Sequence, residues 1–172
     1  MRRRSDERDL TRVYREHVSA VYAFYAYSLR PAAAEDLTSA TFERVLRSWG
    51  KFDPARGSER AWILAIARNQ LVDHYRRQSR RDAVSTDEHP GLLETLIAGE
   101  EPLERVLSAD ELRGWLAVLG ERERQIVALR YAADLPANEI AEIVGLSSAN
   151  VHQILSRSLR RLREAADVRS SA

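Results

Sequence analysis

Cysteine is absent from all 172 residues, which excludes disulfides, thiolate metal sites and a cysteine nucleophile. Glycine is scarce, at seven residues, and alternating Val/Ile/Thr runs are missing, so little in the chain favours a sheet. Ala, Leu and Arg are frequent, and 44% hydrophobic with 31% charged residues suits an all-helical soluble protein. Long apolar runs are lacking as well. The start, MRRRSDERDL, is basic and too polar for a signal peptide or membrane span, so a cytoplasmic protein without membrane insertion is expected. The length allows one ordinary domain or two small ones.

An excess of either charge is also lacking, the formal net charge being only +1. That balance conceals an uneven distribution. Four arginines fall within 76–81 and four more within 157–163, whereas 82–107 holds seven acidic residues and a single arginine. Local distribution, not net charge, decides nucleic-acid binding, so two basic patches separated by an acidic connector leave that function open.

Apolar residues recur at three- and four-residue steps from Leu10 to Leu29, then again from Ala33 to Trp49. Pro31 ends the first helix or begins the second. KFDPARGS (51–58) is a turn-forming loop, and Ser58 is placed to cap a third helix running to about Arg77. Periodicity fails between Gln78 and Pro102. A capping-box pattern at Ser108–Glu111 opens a second helical unit, in which Gly120 suits the end of its first helix. The expected fold is all-α: a helical domain at 8–78, a flexible acidic linker at 79–107, and a four-helix domain at 108–166.

Residues 140–162, IAEIVGLSSANVHQILSRSLRRL, carry the spacing of a helix-turn-helix. Ala141 is small where a second helix would cross, Gly145 tolerates a left-handed backbone, and Val151 is a β-branched pin. The outward face then carries Ser148, Asn150, His152, Gln153, Ser156, Arg157 and Arg160. Asn and Gln can pair with adenine, and Arg with guanine or phosphate. The bland alternative is a helical hairpin with a solvated basic face.

Two stretches resemble a known family. AAAEDLTSATFERVLRSWGKFDPARGSERAWILAIARNQLVDHYRR (32–77) is similar to the polymerase- and promoter-binding domain of bacterial extracytoplasmic-function sigma factors. LGERERQIVALRYAADLPANEIAEIVGLSSANVHQILSRSLRRLRE (119–164) is similar to their C-terminal domain. The resemblance implies a factor that binds core RNA polymerase and directs initiation at promoter DNA by recognising minus-10 and minus-35 elements. A stand-alone helix-turn-helix regulator is the alternative.

By the same resemblance, Asp36, Leu37, Thr38, Thr41, Phe42 and Arg44 would dock on polymerase, although Leu37 and Phe42 equally suit a core. Ser39-Ala40 replaces the family's usual Gln-Glu. Arg56, Gly57, Ser58, Arg60, Arg68, Asn69, Arg76 and Arg77 would take the minus-10 strand, joined by His74, Arg80 and Arg81. The basic run 76–81 is otherwise a solvated helix end, and Trp62 sits among apolar residues as core. Ser148, Asn150, His152, Gln153, Arg157, Arg160 and Arg161 would read the minus-35 element. Asn150 and Ile154 depart from the family's Thr and Arg. The acidic linker would thread a basic polymerase channel or act as a plain spacer. An anti-sigma protein is implied as a further partner. No catalytic constellation, metal-ligand spacing or cofactor motif is present in the sequence.

Overall fold

Apolar stripes of period 3.6 require helices that pack against one another, and the computed structural model delivers that arrangement for residues 2–84 and 109–170. The elements are α1 (Arg2–Ala26), α2 (Pro31–Ser48), a single 3-10 turn (Trp49–Lys51), α3 (Glu59–Val84), α4 (Ala109–Leu116), α5 (Glu121–Tyr131), α6 (Ala137–Val144) and α7 (Ser148–Ser170). All-helical architecture is as expected, with no strand among the described residues. Residues 85–108, which contain most of the expected linker and the Ser108 cap, lie outside the described residues.

Pro31 begins α2, where its missing N–H costs no hydrogen bond, and Arg30 before it is extended. Ser58 caps α3 by accepting from Ala61 N–H at 3.1 Å, and Ser147 caps α7 by accepting from Asn150 N–H at 3.2 Å. Gly120 departs from expectation. It has extended backbone (φ −65°, ψ 161°) and precedes α5, donating its N–H to the Glu123 carboxylate at 2.7 Å. The left-handed residue in this region is instead Asp134, with φ 51°.

Two ends also differ. α3 continues to Val84, beyond the failure of periodicity at Gln78, and α7 continues to Ser170. Loss of an apolar stripe does not stop a helix already nucleated, and RRQSRRDAV contains neither Gly nor Pro.

Val13, Val21, Phe24 and Tyr25 of α1 close on Ala34, Phe42 and Val45 of α2 and on Ile63, Leu64, Ala67 and Leu71 of α3. Each large side chain so buried contributes about 1.5–3 kcal/mol. Tyr25 is fully buried, yet its hydroxyl is satisfied, 2.7 Å from Thr41 Oγ1 and 2.9 Å from Ala67 O. Burial pushes the Tyr25 phenol well above its usual range, only partly offset by the Thr41 bond. The second unit buries Ile126, Leu129, Leu135, Ile140 and Val151. The two units are not separate beads: α3 packs on α6 and α1 on α5, so their apolar interiors form one continuous core.

Candidate nucleic-acid interface

The helix-turn-helix spacing is realised in three dimensions. Ala141 and Val151 are buried, and Gly145 adopts φ 68°, ψ 44°. Leu146 N–H reaches back to Ala141 O at 3.0 Å, which closes the end of α6 and sets the turn into α7. Ile140, Val144 and Leu155 complete the brace. With that side of α7 buried, Asn150, His152, Gln153, Arg157 and Arg160 face solvent, and Ser148 is half-buried at the helix start. Ile154 is half-buried against the core, so the family's Arg position is used here for packing. Arg161 is turned away from the others: it pairs with Glu123 at 2.7 Å and donates to Val118 O. That tie fastens α7 to its own domain.

In the first unit, Asp53 organises the loop. Its carboxylate accepts from Ala55 N–H at 3.0 Å, and its carbonyl accepts from Arg56 N–H at 3.0 Å. Trp49, Phe52 and Trp62 form an aromatic cluster beneath it, with ring centroids 5.4–6.1 Å apart. Trp62 is half-buried there, as expected of a packing residue. Arg56, Gly57 and Ser58 are exposed on the loop, and Asn69, Arg76 and Arg77 are exposed along α3. Arg60 and Arg68 behave differently. Arg60 donates to Ala133 O of the second unit at 3.4 Å. Arg68 is half-buried, with its Nε unpartnered and Arg122 nearby; burial first, then that like charge, lowers its pKa.

α1 is locked to the start of α3 by Glu59. This carboxylate sits 2.9 Å from Arg12 and 2.7 Å from His17 Nε2, while Arg12 also holds Glu16 at 2.5 Å. Partial burial raises the Glu59 pKa. The hydrogen bonds and charges of Arg12 and His17 outweigh it and hold the carboxyl below its usual range. Ligand atoms of Glu16, His17 and Glu59 lie within 4.8 Å of one another, the one such group among the described residues. The guanidinium of Arg12 already bonds both carboxylates there, so the cluster is complete as an ion-pair network.

Three of the six expected polymerase contacts pack within their own domain. Thr38, Thr41 and Phe42 are buried, at 7%, 0% and 6% exposure. Thr38 and Thr41 turn their hydroxyls back to Ala34 O and Leu37 O, each at 2.7 Å, and Phe42 meets Tyr14 edge-on at 4.8 Å. These contacts brace the helix pair. Asp36 and Arg44 are exposed and Leu37 is half-buried. Tyr14 and Leu46 fall within the two periodic apolar stretches, 10–29 and 33–49, yet they are 49% and 54% exposed. With Leu10, Val13, Phe42 and Val45 they line an open apolar groove between α1 and α2. The missed signal was width: Phe42, Val45, Leu46 and Trp49 span more of the helix than α1 and α3 can cover.

Residues 13–81 match the sigma-70 region 2 family, and residues 115–164 match sigma-70 region 4. BldN of Streptomyces coelicolor, an ECF RNA polymerase sigma factor, is 31% identical over 88% of this chain, which spans 58% of BldN's length. The ECF sigma factor SigM of Bacillus subtilis is 26% identical, with 88% of this chain and 91% of SigM covered. Among solved structures, RpoE in complex with the anti-sigma factor NepR, from Bartonella quintana, superposes with a TM-score of 0.77. It shares 22% identity, with 93% of this chain and 98% of RpoE covered, a likeness of fold. CnrH in complex with the cytosolic domain of CnrY gives 0.68 at 20% identity, covering 94% and 90%. With both sigma-70 regions following one another in a single helical chain, this protein belongs to the extracytoplasmic-function group of RNA polymerase sigma factors.

Proposed function

We propose that this chain binds core RNA polymerase and directs promoter-specific initiation, its first unit taking the minus-10 strand and its second reading the minus-35 duplex. The observation that carries this reading is α7, which presents Asn150, His152, Gln153 and Arg157 outward from a fully braced turn. Amides and guanidinium on that face suit base edges and phosphates in a major groove. Arg56, Asn69, Arg76 and Arg77 supply cations and an amide for a single strand.

For polymerase, the open α1–α2 groove, with exposed Leu46 and Tyr14, has the apolar centre of a protein interface, while Leu37 and Arg44 line a separate, more polar cleft between α2 and α3. The chain contributes binding and positioning, needs no cofactor of its own, and leaves catalysis to the polymerase. It acts where polymerase is, in the cytoplasm; among the described residues no helix is long and apolar enough to cross a membrane. An anti-sigma protein is a further proposed partner, by analogy with the RpoE–NepR complex.

Run-off transcription with purified core polymerase on a promoter library, accompanied by polymerase pull-down, tests the reading. Specific transcripts and co-purification are expected. DNA binding with neither result would favour a stand-alone helix-turn-helix regulator.

A further inference from the structure

Past Leu71, its last buried residue, α3 leaves the core. Residues 72–75 are half-buried, and every residue from Arg76 to Arg81 is exposed. Arginine fills four of those six positions, and Ser79 stands among them, next to Arg80 and two residues from Arg77 and Arg81. That serine caps neither end of the helix, which continues to Val84, and it is a poorer helix former than the arginines around it. Its sequence setting is distinctive. Of all the serines and threonines in the chain, only Ser79 and Ser5 have arginine at both the third and the second position before them. Paired arginines so placed suit a protein kinase whose peptide groove is acidic. The tail of α3 has no buried contact to break, so it can unwind locally into the extended form that such a groove takes.

We propose that Ser79 is a phosphorylation site for a serine/threonine kinase with an acidic peptide groove, and that its phosphate switches off strand binding by the run 76–81. This rests on the minus-10 reading of Arg76 and Arg77. In the transfer, Ser79 Oγ bonds to the γ-phosphorus of ATP and the bond from that phosphorus to the bridging oxygen breaks. ADP leaves, and the hydroxyl proton passes to a base of the kinase. The new group carries about −1.5 to −2 charges at neutral pH, set among four guanidiniums. Arg76 lies three residues before Ser79, on the same side of the helix. Its present partner, Asp73, is 3.5 Å away in an exposed pair, so a phosphate displaces it readily. Arg77, Arg80 and Arg81 have no ion-pair partner among the described residues and are free to turn toward the phosphate. Guanidiniums bound to the chain's own phosphate are withdrawn from those of DNA. A negative group near the C-terminal end of α3 also opposes the helix dipole and loosens the tail.

The test treats the full chain with ATP and the catalytic subunit of a kinase directed by paired arginines, then maps phosphate by mass spectrometry of peptides. Phosphate on Ser79 is expected, and Ser5 checks that the kinase is active. Strand binding is read on Ser5→Ala, in which Ser79 alone keeps the pattern, with a fluorescent random-sequence single-stranded 20-mer. Phosphorylation should weaken binding about tenfold or more and lower the slope of log affinity against log salt by about 1. Phosphatase should restore both, which guards against simple unfolding. Ser5→Ala/Ser79→Ala, treated identically, should bind as the untreated chain does. Ser79→Asp should reproduce part of the weakening, and the uncharged Ser79→Asn none of it. Absence of phosphate from Ser79 overturns the site without touching the minus-10 reading. Phosphate on Ser79 with unchanged strand binding overturns the switch and removes Arg76 and Arg77 from the minus-10 surface.

Discussion

Glu59 is where the loop, α1 and α3 are tied together, so a single proton there affects three elements. It lies in the first turn of α3, where the helix dipole favours a negative charge, and it accepts from Arg12 and His17. Its folded pKa is depressed, so its contribution to stability is present above the ordinary glutamate range and is lost as pH falls through the folded value. Glu59→Gln should cost about 1–3 kcal/mol at neutral pH, the worth of hydrogen bonds to a charged group. Its unfolding free energy should also change less than the parent's between pH 5 and about pH 3 in denaturant titrations. The sequence pattern does not reveal this cluster around His17. Its partner lies 42 residues away and emerges only when α1 packs on α3.

At the scale of elements, the turn between α6 and α7 rests on one backbone conformation. Gly145 is left-handed, and a Cβ there meets nothing within 4 Å, so the cost of substitution is conformational and not steric crowding by neighbours. Gly145→Val should cost about 1–2 kcal/mol in unfolding experiments, and Gly145→Asn less, because Asn tolerates this region. α7 provides a second test. Arg157 is exposed and has no ion-pair partner among the described residues, which suits a phosphate contact. Arg157→Ala should weaken binding to random-sequence duplex and reduce the slope of log affinity against log salt by about 1. Arg161→Ala should alter stability more than that slope, since its guanidinium is committed to Glu123 and Val118.

For the molecule as a whole, the question is which apolar surface belongs to the core and which to a partner. Phe42 and Leu46 sit on one helix four residues apart, one 6% and the other 54% exposed. Phe42→Ala should cost about 3–5 kcal/mol, so any loss of polymerase binding in that variant reflects damage to the fold. Leu46→Asp should abolish polymerase pull-down while leaving the thermal midpoint nearly unchanged; retained pull-down would remove the groove from the docking surface.

Local signals settled much of this protein. Apolar periodicity gave the helices, because a helix must bury one stripe whatever it packs against. Ser58 and Pro31 marked starts because capping chemistry is local, and Ala141, Gly145 and Val151 specified a turn whose demands span only eleven residues. Docking of the two units was invisible, since contacts such as Arg60 to Ala133 and Arg113 to Leu29 join residues 73 and 84 positions apart. Tertiary packing alone decided that Thr38, Thr41 and Phe42 turn inward, that Tyr14 and Leu46 stay open, and that α6 packs on α3. In each case burial depends on which helix arrives opposite, and no pattern within a single helix encodes its neighbour.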